Sequence, residues 1–324
     1  MKPRILVLVG PTASGKTAVS IEVAKRLNAE IISADSIQVY RGLDIGSAKP
    51  TMEERQGIRH HLLDAVDITE AGFSVAEYQR RVSDCIDDIT ARGKLPLIVG
   101  GTGLYINALT YPLRFTNVAG DETVRAKLLA QEEEKPGSLH LKLREIDPQS
   151  AERLHQNDVK RVVRALEVFE VSGRTLSSYG SDFANSAQAE ASYRAIIAGL
   201  TMERDALYAR IEQRVDAMML MGLLEETRKL YETGYSSALP ALQGLGYKQL
   251  LRHLDGQTTL EEAVDDIKRE TRRFAKRQIT WFKRDQRIRW FDVFAFSDIM
   301  ALSEALSAYY TQTMQQDEGE GDHS

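Results

Sequence analysis

Eight consecutive residues, Gly10-Pro11-Thr12-Ala13-Ser14-Gly15-Lys16-Thr17, fit the spacing G-x-x-x-x-G-K-[ST] in full. Backbone N–H groups of such a loop, with the N-terminus of the helix it opens, make a cradle for a diphosphate. Lys16 supplies positive charge there, and the Thr17 hydroxyl is placed to ligate Mg²⁺. Nucleotide-hydrolysing proteins usually add a second apolar strand ending in Asp, which supports the metal. The candidate strand at 95–99 ends instead in Gly100-Gly101-Thr102-Gly103. Such a turn suits the close approach of a ligand or backbone, with the Thr102 hydroxyl in the site. The acid stands elsewhere, as Asp35 at the end of a short strand, where an open parallel sheet borders its ligand crevice. General base and metal-associated carboxylate are its chemical readings, and a turn or helix-cap Asp is the simpler one.

These groups need a scaffold that brings loop ends together. Residues 5–9 are a short apolar run of the kind a buried parallel strand requires, and Val19, Val23 and Leu27 recur every four residues. A second strand is expected over 30–35. Ser74 and Glu77 form a capping-box pair before Tyr78, Val82, Cys85 and Ile89, and Gly93 lies just past that helix. Strands alternating with amphipathic helices predict an α/β fold with a P-loop NTPase-like parallel sheet, helices on both faces. Between 117 and 191 the pattern changes. A helix is expected over 158–171, with Val159, Val162, Val163, Leu166 and Phe169 on one face and Lys160, Arg161 and Arg164 on the other. Gly173 stops it. A polar, small-residue stretch at 177–192 leads to an apolar strand at 195–200, and helices dominate from there. We read 1–116 as the first part of the core and 117–191 as a mostly helical insertion. Residues 192–315 complete the core with a basic, helical C-terminal part, and 316–324 form a disordered acidic tail.

The 324 residues are 43% hydrophobic and 27% charged, enough to bury a sizeable core and to exclude disorder of the whole. A single cysteine, Cys85, excludes an internal disulfide framework and a multi-cysteine zinc site. His60 and His61 would point to opposite faces of a strand, and no third ligand is spaced for a metal. No apolar run is long enough for a membrane span, and five apolar residues before Gly10 are too few for a signal peptide. A soluble, cytoplasmic protein is expected. Net charge is −5, yet residues 268–289 hold ten Lys/Arg against two acids, while 317–324 carry −4. A basic strip on an acidic body points to a polyanion partner, and a solvated helix face is the bland alternative.

The loop at 10–17 is accompanied by Ile32-Ser-Ala-Asp-Ser-Ile-Gln-Val-Tyr40, Asp44-Ile-Gly-Ser-Ala-Lys-Pro50 and Val99-Gly-Gly-Thr-Gly-Leu-Tyr105. Arg161-Val-Val-Arg-Ala-Leu-Glu167 and Ala275-Lys-Arg-Gln-Ile-Thr-Trp281 follow. Together these segments resemble the tRNA dimethylallyltransferase family, from about residue 5 to residue 290. Eukaryotic members often carry a C-terminal zinc finger, which one cysteine excludes, so the resemblance is to the bacterial form. It implies transfer of a dimethylallyl group from dimethylallyl diphosphate to N6 of adenosine 37, 3′ of the anticodon, in tRNAs reading codons that start with U. It implies a diphosphate in the 10–17 loop with Mg²⁺ near Thr17 and Arg214 as a further diphosphate ligand. Asp35 would take the N6 proton, and Thr102 would hydrogen-bond near the same base. Implied tRNA contacts are Asp35, Ser36, Ile37, Gln38, Thr102 and Arg125, then Lys160, Arg161, Val162, Val163 and Arg164. Gln243, Gly244, Tyr247, Lys248, Lys276, Arg277, Gln278 and Lys283 complete that set. The expected partners are the anticodon stem-loop of tRNA and dimethylallyl diphosphate, met by a monomer with no membrane.

Two other readings fit the loop alone. In a small-molecule kinase, ATP would fill the loop and Asp35 would orient an acceptor hydroxyl. A nucleotide-switched RNA-binding protein would use the loop and the strip without chemistry. A small substrate does not need the basic strip, and a switch leaves Asp35 and the glycine turn unexplained.

Overall fold

Strand β1 (Arg4–Val9) is buried on both faces, as an Ile/Leu/Val run in the middle of a parallel sheet must be. The computed structural model describes residues 2–70, 73–111, 118, 120–179 and 192–321. After β1 come α1 (Lys16–Arg26), β2 (Ala29–Ala34), β3 (His60–His61), α2 (Val75–Ala91), β4 (Leu95–Gly100) and α3 (Gly103–Thr110). Then follow α4 (Glu122–Glu134), α5 (Ser138–Ile146), α6 (Pro148–Arg153) and α7 (Val159–Ser172). The chain continues with β5 (Arg194–Thr201), α8 (Arg204–Leu220), α9 (Leu223–Glu232), α10 (Tyr247–Leu254) and α11 (Leu260–Phe282). Strand β6 (Arg289–Asp292) and α12 (Ile299–Gly321) end it.

The chain divides into two compact units, one of Met1–Thr110 with Ser192–Ser324 and one of Tyr111–Ala191. In the first, six strands lie in the order β3-β2-β4-β1-β5-β6, and every pairing is parallel. Side chains alternate across β1 with the period of a strand. Ile5, Val7 and Val9 pack with Val82, Ile86 and Ile89 of α2 and Ile106 of α3, whereas Leu6 and Leu8 pack with Val19 and Val23 of α1 and Leu302 and Leu306 of α12. Both faces of the sheet are therefore covered. Half of the expected capping box is present: Ser74 Oγ accepts from the Glu77 amide at 3.2 Å, while the Glu77 carboxylate binds Arg80 and Arg81. A third apolar cluster joins Val39, Tyr40 and Leu43 to α8 through α11.

The second unit packs Leu128 of α4 and Leu139 and Leu143 of α5 against Val162, Val163 and Leu166 of α7. Gly173 ends α7 in the left-handed conformation at φ 70°, as its position predicts. Asn117 and residues 180–191 of the polar stretch lie outside the described residues. The acidic end differs from expectation, since α12 runs on to Gly321, while 322–324 lie outside the described residues. Leu302, Leu306 and Tyr310 anchor that helix in the core, and propagation from an anchored helix costs little. Among the described residues, no helix is long and apolar enough to cross a membrane.

Candidate active site

The loop after β1 turns through two left-handed residues, Ala13 at φ 63° and Gly15 at φ 90°, before α1 begins at Lys16. Glycine reaches φ 90° at no steric cost, which accounts for Gly15. Lys16 Nζ donates to the loop's own carbonyls, Gly10 O at 2.9 Å and Pro11 O at 2.8 Å. Burial and then the positive charge of Arg214 pull the Lys16 ammonium down to about 7, against the opposing charge of Asp35. Burial likewise lowers Arg214, and Asp35 and Glu54 work the other way. Two cations thus crowd one half-buried place and destabilise each other there, an arrangement that a bound anion relieves. Ser14 Oγ is buried in the same loop with no hydrogen-bond partner among the described residues.

Asp35 follows β2 directly. Its Oδ1 accepts from the backbone amides of Ile37 at 2.9 Å and Gln38 at 3.3 Å. The turn role foreseen as the simpler reading is therefore real, but both bonds use Oδ1, so Oδ2 is the oxygen left to accept a proton. Thr102 Oγ1 accepts from the Ser36 amide at 3.2 Å, which leaves its own hydroxyl proton to donate. Both residues line a cavity of about 700 Å³ whose walls also include Thr12, Ser36, Arg214 and Gly244.

The glycine turn after β4 is shaped by α11. A Cβ on Gly101 would come within 2.1 Å of Gln278 Nε2, and one on Gly103 within 2.3 Å of the Trp281 ring. Close approach was the expected reason for these glycines, and the partner is protein. Gln278 is itself buried, its amide held at both ends by Thr12 N and Gly101 O. Instead of facing RNA, it bridges the two loops.

The opposite wall is the segment after Asp35. Gln38 donates to the carbonyls of Ser47 and Ala48, both at 3.2 Å, and accepts from Ser33 Oγ at 2.9 Å. Glu226 of α9 accepts from the amides of Asp44 (3.2 Å), Ile45 (2.9 Å) and Gly46 (3.2 Å) and from the Tyr247 hydroxyl (2.6 Å). Lys49 is buried, with Nζ on Asp44 Oδ1 and Asp64 Oδ1, each at 2.6 Å, and on Tyr40 O. No local pattern marks Glu226 in the sequence, because the loop amides it binds lie about 180 residues away, whereas Lys49 shares a quoted segment with its partner Asp44.

The residues expected on the RNA face separate into two kinds. Gln243, Lys248, Lys276, Arg277, Lys283, Lys160 and Arg161 are exposed, and Ser36 and Ile37 are half-buried on the cavity wall. Tyr247, Val162 and Val163 are buried in apolar clusters, so their side chains pack the core instead of touching RNA. Arg125 and Arg164 both bind the fully buried carboxylate of Glu167, at 3.0 and 2.7 Å. His61 Nε2 meets the buried Glu30 at 2.8 Å and His60 Nδ1 meets Ile58 O at 2.9 Å, so both rings have structural partners.

Residues 38–285 match the model of a family described as IPP transferase. A tRNA dimethylallyltransferase of Symbiobacterium thermophilum is 52% identical over 90% of this chain and 90% of its own length. The crystal structure of the full-length tRNA isopentenylpyrophosphate transferase of Bacillus halodurans superposes with a TM-score of 0.72 at 42% identity, covering 98% of this chain and all of that one. A eukaryotic dimethylallyltransferase, captured in crystallographic snapshots acting on tRNA, gives a TM-score of 0.77 at 29% identity, over 94% of this chain and 78% of that one.

Proposed function

The chain belongs to the IPP transferase family and transfers a dimethylallyl group to tRNA, and from that premise we propose its acceptor and the roles of its site residues. The acceptor is N6 of adenosine 37, 3′ of the anticodon, in tRNAs reading codons that start with U. The observation that carries this reading is the crowding of Lys16, at the end of the 10–17 loop, by Arg214 of α8, on a cavity that Arg214 shares with Thr12 and Asp35. It suits a substrate that brings a diphosphate to the cations and an amine to the carboxylate.

The diphosphate of dimethylallyl diphosphate lies along residues 10–17, where it replaces Gly10 O and Pro11 O as the acceptor for Lys16. Adenine N6 attacks the allylic carbon and a C–N bond forms. The C–O bond breaks, and its electron pair leaves with the diphosphate. Asp35 Oδ2 takes the N6 proton, and the Thr102 hydroxyl donates a hydrogen bond to the same base. Lys16, Arg214 and the loop amides stabilise the charge that develops on the departing diphosphate. This accounts for a phosphate loop in a reaction that consumes no ATP. Thr17, half-buried in the first turn of α1, offers one hydroxyl oxygen, which suits Mg²⁺, an ion that takes few protein ligands and completes its shell with water and phosphate oxygens. Bound there, it would neutralise part of the diphosphate charge.

On the RNA side, Lys276, Arg277, Lys283 and Lys248 meet phosphates, as do Lys160 and Arg161 in the second unit. An unstacked loop base is then extruded into the cavity. The enzyme works as a monomer. Incubating tRNA with the protein, Mg²⁺ and dimethylallyl diphosphate, then digesting and mapping by mass, tests this reading. One dimethylallyl group at adenosine 37, confined to tRNAs that read U-first codons, is expected. Modification at another nucleotide would overturn it.

A further inference from the structure

Gln278 reaches two loops that are far apart in sequence. Its Oε1 accepts from the Thr12 amide at 2.9 Å, and its Nε2 donates to Gly101 O at 3.0 Å. A backbone amide only donates and a carbonyl only accepts, so one orientation of the side chain satisfies both. Thr12 belongs to the diphosphate loop. Gly101 belongs to the turn that carries Thr102, and from there the connection runs on. Thr102 N donates to Ala34 O at 3.2 Å, and Thr102 Oγ1 accepts from Ser36 N at 3.2 Å, so the residues on either side of Asp35 are both held. The clash that any Cβ at Gly101 would make with Nε2 shows that the turn is built around this amide.

We propose that Gln278 is a positioning residue: by tying residues 10–17 to the Gly101–Thr102 turn, it sets the spacing between the bound diphosphate and the acceptor adenine. The inference rests on the function proposed above. Gln278 touches neither substrate. Each substrate keeps its own anchors, the diphosphate on Lys16 and Arg214 and the RNA on the exposed cations. Transfer, unlike binding, needs the allylic carbon and N6 aligned at near contact, and a misplacement of about 1 Å costs on the order of 10²-fold in rate.

Gln278→Met keeps the volume and removes both hydrogen bonds. Gln278→Glu keeps an acceptor for Thr12 N but sets a carboxylate against Gly101 O. For each variant, single-turnover transfer at saturating substrates is compared with the separate equilibrium affinities for tRNA and dimethylallyl diphosphate, and with thermal stability. The single-turnover rate should fall by about 10- to 100-fold in both variants, with each affinity within a few-fold of wild type. Gly101→Ala, which displaces the amide, should lower the rate similarly and add little to Gln278→Met, as expected of residues in one network. If Gln278→Met also loses stability, Gln278→Glu and Gly101→Ala carry the test. An unchanged saturating rate in folded variants would overturn the proposal, as would a weakened tRNA affinity that accounts for the whole loss. Wild type run alongside separates the two ideas. If wild type leaves tRNA unmodified, the functional reading fails; if wild type transfers and the variants match it, only this inference fails.

Discussion

On α7, Arg164 turns to the buried Glu167 at 2.7 Å and to Val118 O at 2.8 Å, and Arg125 of α4 joins it on the same carboxylate. On α11, the first cations are likewise paired, Lys268 with Asp216 and Arg273 with Glu270, each at 2.6 Å, Arg269 with Asp266 at 2.5 Å, and Arg272 with Glu212. Further along, Lys276 and Arg277 are exposed, as is Lys283 at the helix end, and none of these has an ion pair among the described residues. Arg277 instead lies over the Phe274 ring, 5.9 Å from its centre. Similar charge runs thus do two jobs. A cation facing a buried carboxylate holds the fold, and one left to solvent is available to a phosphate. Two of the acids that neutralise the strip, Asp216 and Glu212, come from α8, so counting charge within 268–289 overstates what an RNA would meet.

The largest effect should come from a charge on neither helix. Asp35→Asn should lower turnover by about 10²–10⁴-fold, the scale of general-base loss, with tRNA affinity changed only a few-fold. A near wild-type kcat would remove Asp35 from the chemistry, whatever the helices do. Next, Arg164→Ala should destabilise the protein by about 1–2 kcal/mol, a buried-pair cost discounted because the arginine is partly exposed. Denaturant unfolding measures this, and the salt dependence of tRNA binding should stay as it was. Arg277→Ala should do the reverse. Stability should hold, while the slope of log affinity against log salt flattens by roughly 0.7–0.9, one phosphate contact. The smallest effect belongs to Arg272→Ala, whose slope should not move because Glu212 already neutralises it. Equal slope changes in Arg164→Ala and Arg277→Ala would erase the distinction between the helices.

The parts legible from sequence are those written within a few residues of one another. The 10–17 loop between β1 and α1, the Ser74–Glu77 cap, the glycine stop of α7 and the placement of Asp35 after β2 all depend on local spacing. What escaped depends on distant contacts. Gln278 stood in a quoted motif and the resemblance placed it among the RNA contacts, but its partners lie 266 and 177 residues away, beyond the reach of any local pattern. Tyr247 stood among the tRNA contacts that the resemblance implies, and only the fold brings Glu226 to its hydroxyl. Arg125 and Arg164 carry the same side chain as a phosphate-binding arginine, and only the burial of Glu167 separates them from one. The edge strand β6, four residues long, is too short for an alternating pattern to stand out.

Lys16 offers the most direct test of the central claim that residues 10–17 with Arg214 hold the diphosphate of dimethylallyl diphosphate. In the free protein its ammonium is held at about 7 by burial and by Arg214, so it loses its proton as pH rises through that value. The folded pKa is below the unfolded one, so this group's contribution to stability rises with pH from about 7 until the unfolded lysine also deprotonates. A bound anion raises the pKa again, and binding above 7 must then take up a proton. Calorimetric titration with dimethylallyl diphosphate and with inorganic pyrophosphate, in buffers of different ionisation enthalpy, measures that proton. The two ligands should compete for one site. Beyond each ligand's own titration, proton uptake should grow above pH 7, affinity should fall by at most about tenfold per pH unit, and Lys16→Met should abolish both trends. ATP should show no acceptor-dependent loss of its γ-phosphate. Non-competing ligands, or acceptor-dependent release of ADP with no prenylated adenosine, would contradict the account.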